Sequence, residues 1–179
     1  MLAQTKYQPT FLVNRSIVQN GLIVLLASVL LSAVSKLFIP WAPVPLTFES
    51  ATVILLGLTL GSKRAICAVG LYLLQGSLGV WSTGAAVLMG PTAGFAFGFL
   101  PAAFFAGWMM EKGMASGFIR VFIAALLSTL IVFFCGILWL QAIVGWHDAY
   151  AFGVKPFLFV EPAKLIIVSL IAMKGWKRV

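Results

Sequence analysis

The 179 residues fall into long apolar runs separated by short punctuated breaks. The first run extends from about Ile17 to Ile39 and the second from about Thr47 to Leu60. A third covers about Ala65 to Leu78, a fourth Pro91 to Met110, a fifth Phe118 to Val144 and a sixth Pro162 to Met173. A membrane-crossing helix needs about 20 apolar residues, so the pattern predicts six transmembrane helices, the second of them short. The first run is longer than the 7–15 residue core typical of a signal peptide, and it reads as a retained helix. The breaks carry helix-stopping chemistry. Pro40, Pro43 and Pro45 lack the backbone donor and clash with a preceding turn. Gly61-Ser62-Lys63-Arg64 reads as a tight turn, Gly79–Gly90 as a loop or re-entrant segment, and Glu111-Lys112-Gly113 as the close of the fourth run. Trp146-His147-Asp148 marks an interface, and Tyr150–Pro156 reads as a continuing loop.

Composition narrows the class. Hydrophobic residues make up 62% and charged residues 9%, against about 25% charged in an ordinary soluble domain, and the mean hydropathy is +1.10. A soluble core of this size cannot hide so much apolar surface. The sequence therefore predicts an all-α integral membrane protein: one six-helix domain over residues 1–179, with polar residues 1–15 as a cytoplasmic N-terminal segment. The net charge of +8 does not form the basic stripe expected of a nucleic-acid binder. Instead Lys6, Arg15, Lys63, Arg64, Lys112, Arg120, Lys174, Lys177 and Arg178 fall on one side of the predicted spans, and Lys36 and Lys155 on the other. By the positive-inside bias both termini are cytoplasmic, and the loops holding Pro43, Trp81 and His147 face outward. Cys67 and Cys135 lie inside apolar runs and read as inert small hydrophobes, with neither a disulfide nor a metal assigned.

The unusual residues gather in the outward half. In Glu161-Pro162-Ala163-Lys164, two ionisable groups sit where a span begins, and such groups are costly inside a bilayer. Pro162 suits the first helical position and Glu161 the cap, where its charge meets the positive helix end. Lys164 lies three residues on, on the same face. The pair is either a salt bridge that caps a helix or a donor–acceptor set aimed at a polar solute. Pro43 to Ser50 forms a rigid approach to the second span, with Thr47, Glu49 and Ser50 offering hydrogen-bonding groups; a plain interfacial turn fits equally well. The hydroxyl of Tyr72, inside an apolar helix, needs a partner, either a ligand or another helix. Lys36 suits an outward snorkelling position, and the single histidine, His147, suits the surface. Ser28 and Ser32 form a small-residue pair that packs either within the chain or against a partner. The sequence holds no G-x-x-x-x-G-K-[ST] phosphate loop, no H-E-x-x-H and no Cys/His cluster. It predicts no enzyme, cofactor or metal. An intramembrane enzyme using Glu161 is the distant alternative.

Four stretches in register resemble the BioY family of biotin transporters. Pro43-Val44-Pro45-Leu46-Thr47 resembles its P-V-P-x-T segment, and Gly57 to Arg64 with Tyr72-Leu73-Leu74-x-Gly76 resembles the block that follows. Leu88 to Phe95 resembles L-L-G-P-T-G-G-Y, and Pro156-Phe157-Leu158 with Glu161 and Lys164 resembles P-F-L-x-x-D-x-x-K. The resemblance implies a six-helix substrate-binding S-component of energy-coupling-factor transporters in the bacterial cytoplasmic membrane. It implies biotin uptake in contact with membrane lipid, either with a transmembrane coupling protein and an ATPase pair as partners, as in some members, or without a dedicated set, as in others. Carried over by position, the biotin contacts fall on Pro45, Thr47, Glu49, Tyr72, Gly84, Glu161 and Lys164. The sequence departs from the family at Glu161, which stands for aspartate, and at Glu49 and Lys36, where glutamine is common. Its Gly79–Gly90 segment is also short. Those departures leave open a carrier of the same architecture for another vitamin or small solute.

Overall fold

The computed structural model describes residues 16–40, 44–80 and 89–174, together with the backbone of 7–9 and 176–178. Seven α-helices, one turn of 3-10 helix (Met114–Ser116) and two small two-stranded ribbons are the regular elements of the described chain. Helix α1 (Ile17–Val34) opens on a capping box: Ser16 Oγ accepts from the Gln19 N–H and Gln19 Oε1 from the Ser16 N–H, each at 3.3 Å. It ends five residues before the apolar run does. Phe38–Ile39 (β2) turns instead into an antiparallel ribbon with Leu46–Thr47 (β3). Helices α2 (Glu49–Leu60) and α3 (Ser62–Ser77) follow. Gly61 alone separates them, at φ 82°, a left-handed value that a side chain would oppose.

Helix α4 (Ala93–Glu111) is the axis of the bundle. It packs against α2, α3 and α5 (Phe118–Val144), and small residues let it approach closely. A side chain at Gly94 would collide with Trp139 and with the Cys135 carbonyl of α5. The boundaries of α5 are those the sequence predicts. The loop expected after it is a helix, α6 (Trp146–Gly153), and α7 (Phe157–Met173) follows at a bend of 44°. Helix α7 also starts earlier than expected. Pro162 lies inside it, and Glu161 is a helical residue, not a cap. The hydrogen bond that proline forfeits is the one to Leu158, whose side chain is exposed near the helix start, so one bond is lost where the helix is least constrained.

Three helices, α1, α4 and α5, are long and apolar enough to cross a membrane, and α6 with α7 makes a fourth if the bent pair is one span. At 12 residues, α2 reaches only about 18 Å, short of a hydrocarbon core of about 30 Å. The chain runs back and forth, so the start of α1, the α2–α3 turn and the end of α7 share one end of the bundle. There Tyr7–Pro9 (β1) pairs antiparallel with Trp176–Arg178 (β4). The end of α1, the β2–β3 ribbon and the starts of α2, α4 and α7 lie at the other.

Candidate functional site

At the end away from the termini a cavity of about 340 Å³ opens between α1, α2, α3, α4, α5 and α7, within the range of small-molecule sites. Its wall is mainly apolar. Phe95 and Phe99 come from α4, Val132 and Phe133 from α5, and Phe157 from α7. Phe133 makes edge contacts with Phe95 at 6.0 Å and Phe157 at 5.4 Å between ring centres. These aromatics escape a reading of the sequence. Phe95 and Phe99 are spaced one turn apart, but among 15 phenylalanines that spacing distinguishes nothing until three helices converge.

The polar part of the wall belongs to a buried network. Lys164 and Glu161 form an ion pair with both side chains about 94% inaccessible. An ammonium has three donors, and the protein engages all three of Lys164: Glu161 Oε1, the Thr47 carbonyl at 3.0 Å and Ser50 Oγ at 3.0 Å. Ser50 in turn donates to Glu161 Oε1 at 3.2 Å. Two residues from the approach to α2 thus lock onto α7. The other carboxylate oxygen, Glu161 Oε2, is buried and has no hydrogen-bond partner among the described residues. Such an acceptor costs about 1–3 kcal/mol, more when charged. A second carboxylate sits alongside. Tyr72 donates to Glu49 Oε1 at 2.6 Å, and Thr47 Oγ1 donates to Glu49 Oε2 at 3.4 Å.

Of the residues singled out in the sequence, Pro45, Thr47, Glu49, Tyr72 and Glu161 line the cavity. Lys164 is absent from the lining and stands behind Glu161, holding it. Gly84 and Pro43 lie outside the described residues. Tyr72 has found its partner on another helix while still facing the cavity. Lys36, expected to snorkel outward, lines the cavity as an exposed residue at its rim. Ser50, noted only as a polar group, is the bridge of the network. Ser28 and Ser32 are fully buried and donate to carbonyls of their own helix, so their place is in packing within the chain, not in docking a partner.

A helical bundle with helices long and apolar enough to cross a membrane, and a mainly apolar cavity with a buried carboxylate residue in its wall, defines a membrane protein with room for a small solute. The chain belongs to the BioY family, whose model matches residues 6–179. It is 34% identical over 144 residues to the biotin transporter BioY of Thermotoga maritima, covering 76% of this chain and 83% of that one. It is 32% identical over 158 residues to the biotin transporter BioY2 of Lactococcus lactis, covering 84% and 86%. Its fold matches the crystal structure of the S-component for biotin from an ECF-type ABC transporter, with a TM-score of 0.78 at 20% identity over 90% of this chain and 94% of the other.

Proposed function

We propose that this protein binds biotin in the cavity and serves its uptake across the cell membrane as a substrate-binding component, not as an enzyme. The observation that carries the reading is Glu161, a residue of the cavity wall whose buried Oε2 has no hydrogen-bond partner among the described residues. An ionised carboxylate only accepts hydrogen bonds. The ligand it awaits must present N–H or O–H donors on an apolar body. Biotin does so, with two ureido N–H groups on a fused ring system. Glu161 and Glu49 are then the acceptors for ureido donors, and Pro45, Thr47 and Tyr72 shape the wall beside them. Gly84 is assigned by family resemblance alone. Lys164 acts by holding Glu161 in place.

In this reading α1, α2, α3, α4, α5 and α7 are six spans in a bacterial cytoplasmic membrane. Both termini are cytoplasmic, and the cavity opens outward. The pairing of β1 with β4 supports termini on one side, and the basic residues at that end support a cytoplasmic one. Exposed apolar side chains along α1, α5 and α7 suit contact with lipid. The likeness to an S-component supports partnership with a transmembrane coupling protein and an ATPase pair. Titration of the purified protein with biotin tests the reading. Saturable binding is expected, weakened at least tenfold, about 1.4 kcal/mol, by Glu161→Gln. Absence of biotin binding in the wild-type protein overturns it in favour of another small solute.

A further inference from the structure

We propose that Lys36 reads the anionic end of the ligand, so that this chain selects a free carboxylic acid over its uncharged amide. The inference rests on the biotin reading above and adds the orientation of the ligand. The cavity wall carries two carboxylates, half-buried Glu49 and buried Glu161. A ligand carboxylate placed against Glu161 would face a group that, when ionised, only accepts hydrogen bonds, and would find no donor there. The nearby cation offers no hydrogen bond either. Lys164 stands behind the wall, and its three donors are spent on Glu161, Thr47 and Ser50.

At the rim the chemistry reverses. Lys36 lines the cavity there and is exposed, as expected of a residue at the mouth. It follows α1 directly, and its backbone N–H is held by the Ala33 carbonyl at 3.3 Å, which fixes the root of the side chain. Two neighbouring wall hydroxyls cannot serve an anion as donors. Ser35 Oγ donates to the Ser32 carbonyl at 2.9 Å, and Ser77 Oγ to the Leu74 carbonyl at 2.8 Å. The ligand is therefore polarised along the cavity, with its N–H donors toward Glu161 and its carboxylate toward Lys36.

The test compares biotin with its primary amide by calorimetric titration of the full-length wild type, Lys36→Gln and Lys36→Arg. Wild type should bind the acid up to about fivefold tighter than the amide, and measurably so, as a partly exposed charge pair allows. Lys36→Gln should lower the affinity for the acid to that for the amide and leave the amide unchanged, and Lys36→Arg should keep the preference. A full preference for the acid in Lys36→Gln overturns the assignment. Equal binding of both ligands by wild type also overturns it while the biotin reading stands; binding of neither removes both.

Discussion

Two carboxylates, one at each end of the bundle, hold helices together in opposite ways. At the end near the termini, Glu111 closes α4 and reaches the first turn of α3. Its Oε1 accepts from the Ser62 N–H at 2.8 Å and from Ser62 Oγ at 3.0 Å, and its Oε2 accepts from the same hydroxyl at 3.0 Å. An acid at the last position of a helix opposes that helix's own dipole. Here it serves α3 instead, satisfying a backbone donor that α3 cannot pair internally. At the cavity end, Glu161 has one oxygen saturated by Lys164 and Ser50 and the other without a partner. A carboxylate with both oxygens engaged by its own chain and no place in the cavity wall is structural. One in the cavity wall with an oxygen left without a partner among the described residues is poised for a ligand.

The largest effect should follow from breaking the buried pair on its cationic side. Lys164→Ala leaves Glu161 without a counter-charge and cuts α7 from Thr47 and Ser50. The expected loss is about 3–5 kcal/mol of stability, read as a drop in thermal unfolding temperature in detergent, together with loss of biotin binding. Removing both charges, Glu161→Gln with Lys164→Met, should recover most of the stability but not the binding. A double variant as unstable as Lys164→Ala would show that Lys164 matters for its packing rather than its charge.

A smaller effect is expected at the other end. Glu111→Ala should cost about 1 kcal/mol, the usual worth of a helix cap, and leave the affinity for biotin unchanged. Weakened biotin binding in this variant would break the division between a structural and a ligand-binding end. The gentlest experiment asks only which end faces out. In a Cys67→Ser background, a membrane-impermeant thiol reagent should label His147→Cys in intact cells and spare Ser116→Cys. Both positions are exposed, so the reverse pattern would invert the orientation.

Much of the helical layout was legible in the chain. Helix α5 runs from Phe118 to Val144 as the sequence predicts, because an unbroken apolar run lies between Gly117 and Gly145. The exposed flank of α1 shows why its run overshot. Leu37, Phe38 and Ile39 are apolar and exposed, so their hydrophobicity could not distinguish a helix from a strand of the ribbon. Helix α6 was missed because Trp146–Gly153 is short and mixed in character, and its packing against α5 is visible only in three dimensions. The start of α7 was misjudged at Pro162 because the preference of proline for a first turn is statistical, and a helix can begin a turn earlier when the forfeited bond is near its end.

Local chemistry in the sequence determined that Glu161 and Lys164 share a face, since three residues along a helix is a fixed geometry. It likewise determined that Thr47, Glu49 and Tyr72 were candidates, since polar groups in apolar runs require partners. Only the tertiary structure decided which atoms remain available. Hydrogen-bond saturation is set by neighbours far apart in the chain: Ser50 and Thr47 reach Lys164 across more than 100 residues. Their arrival withdraws the lysine from the cavity wall and leaves Glu161 Oε2 without a partner among the described residues, a distribution that no spacing along the sequence encodes.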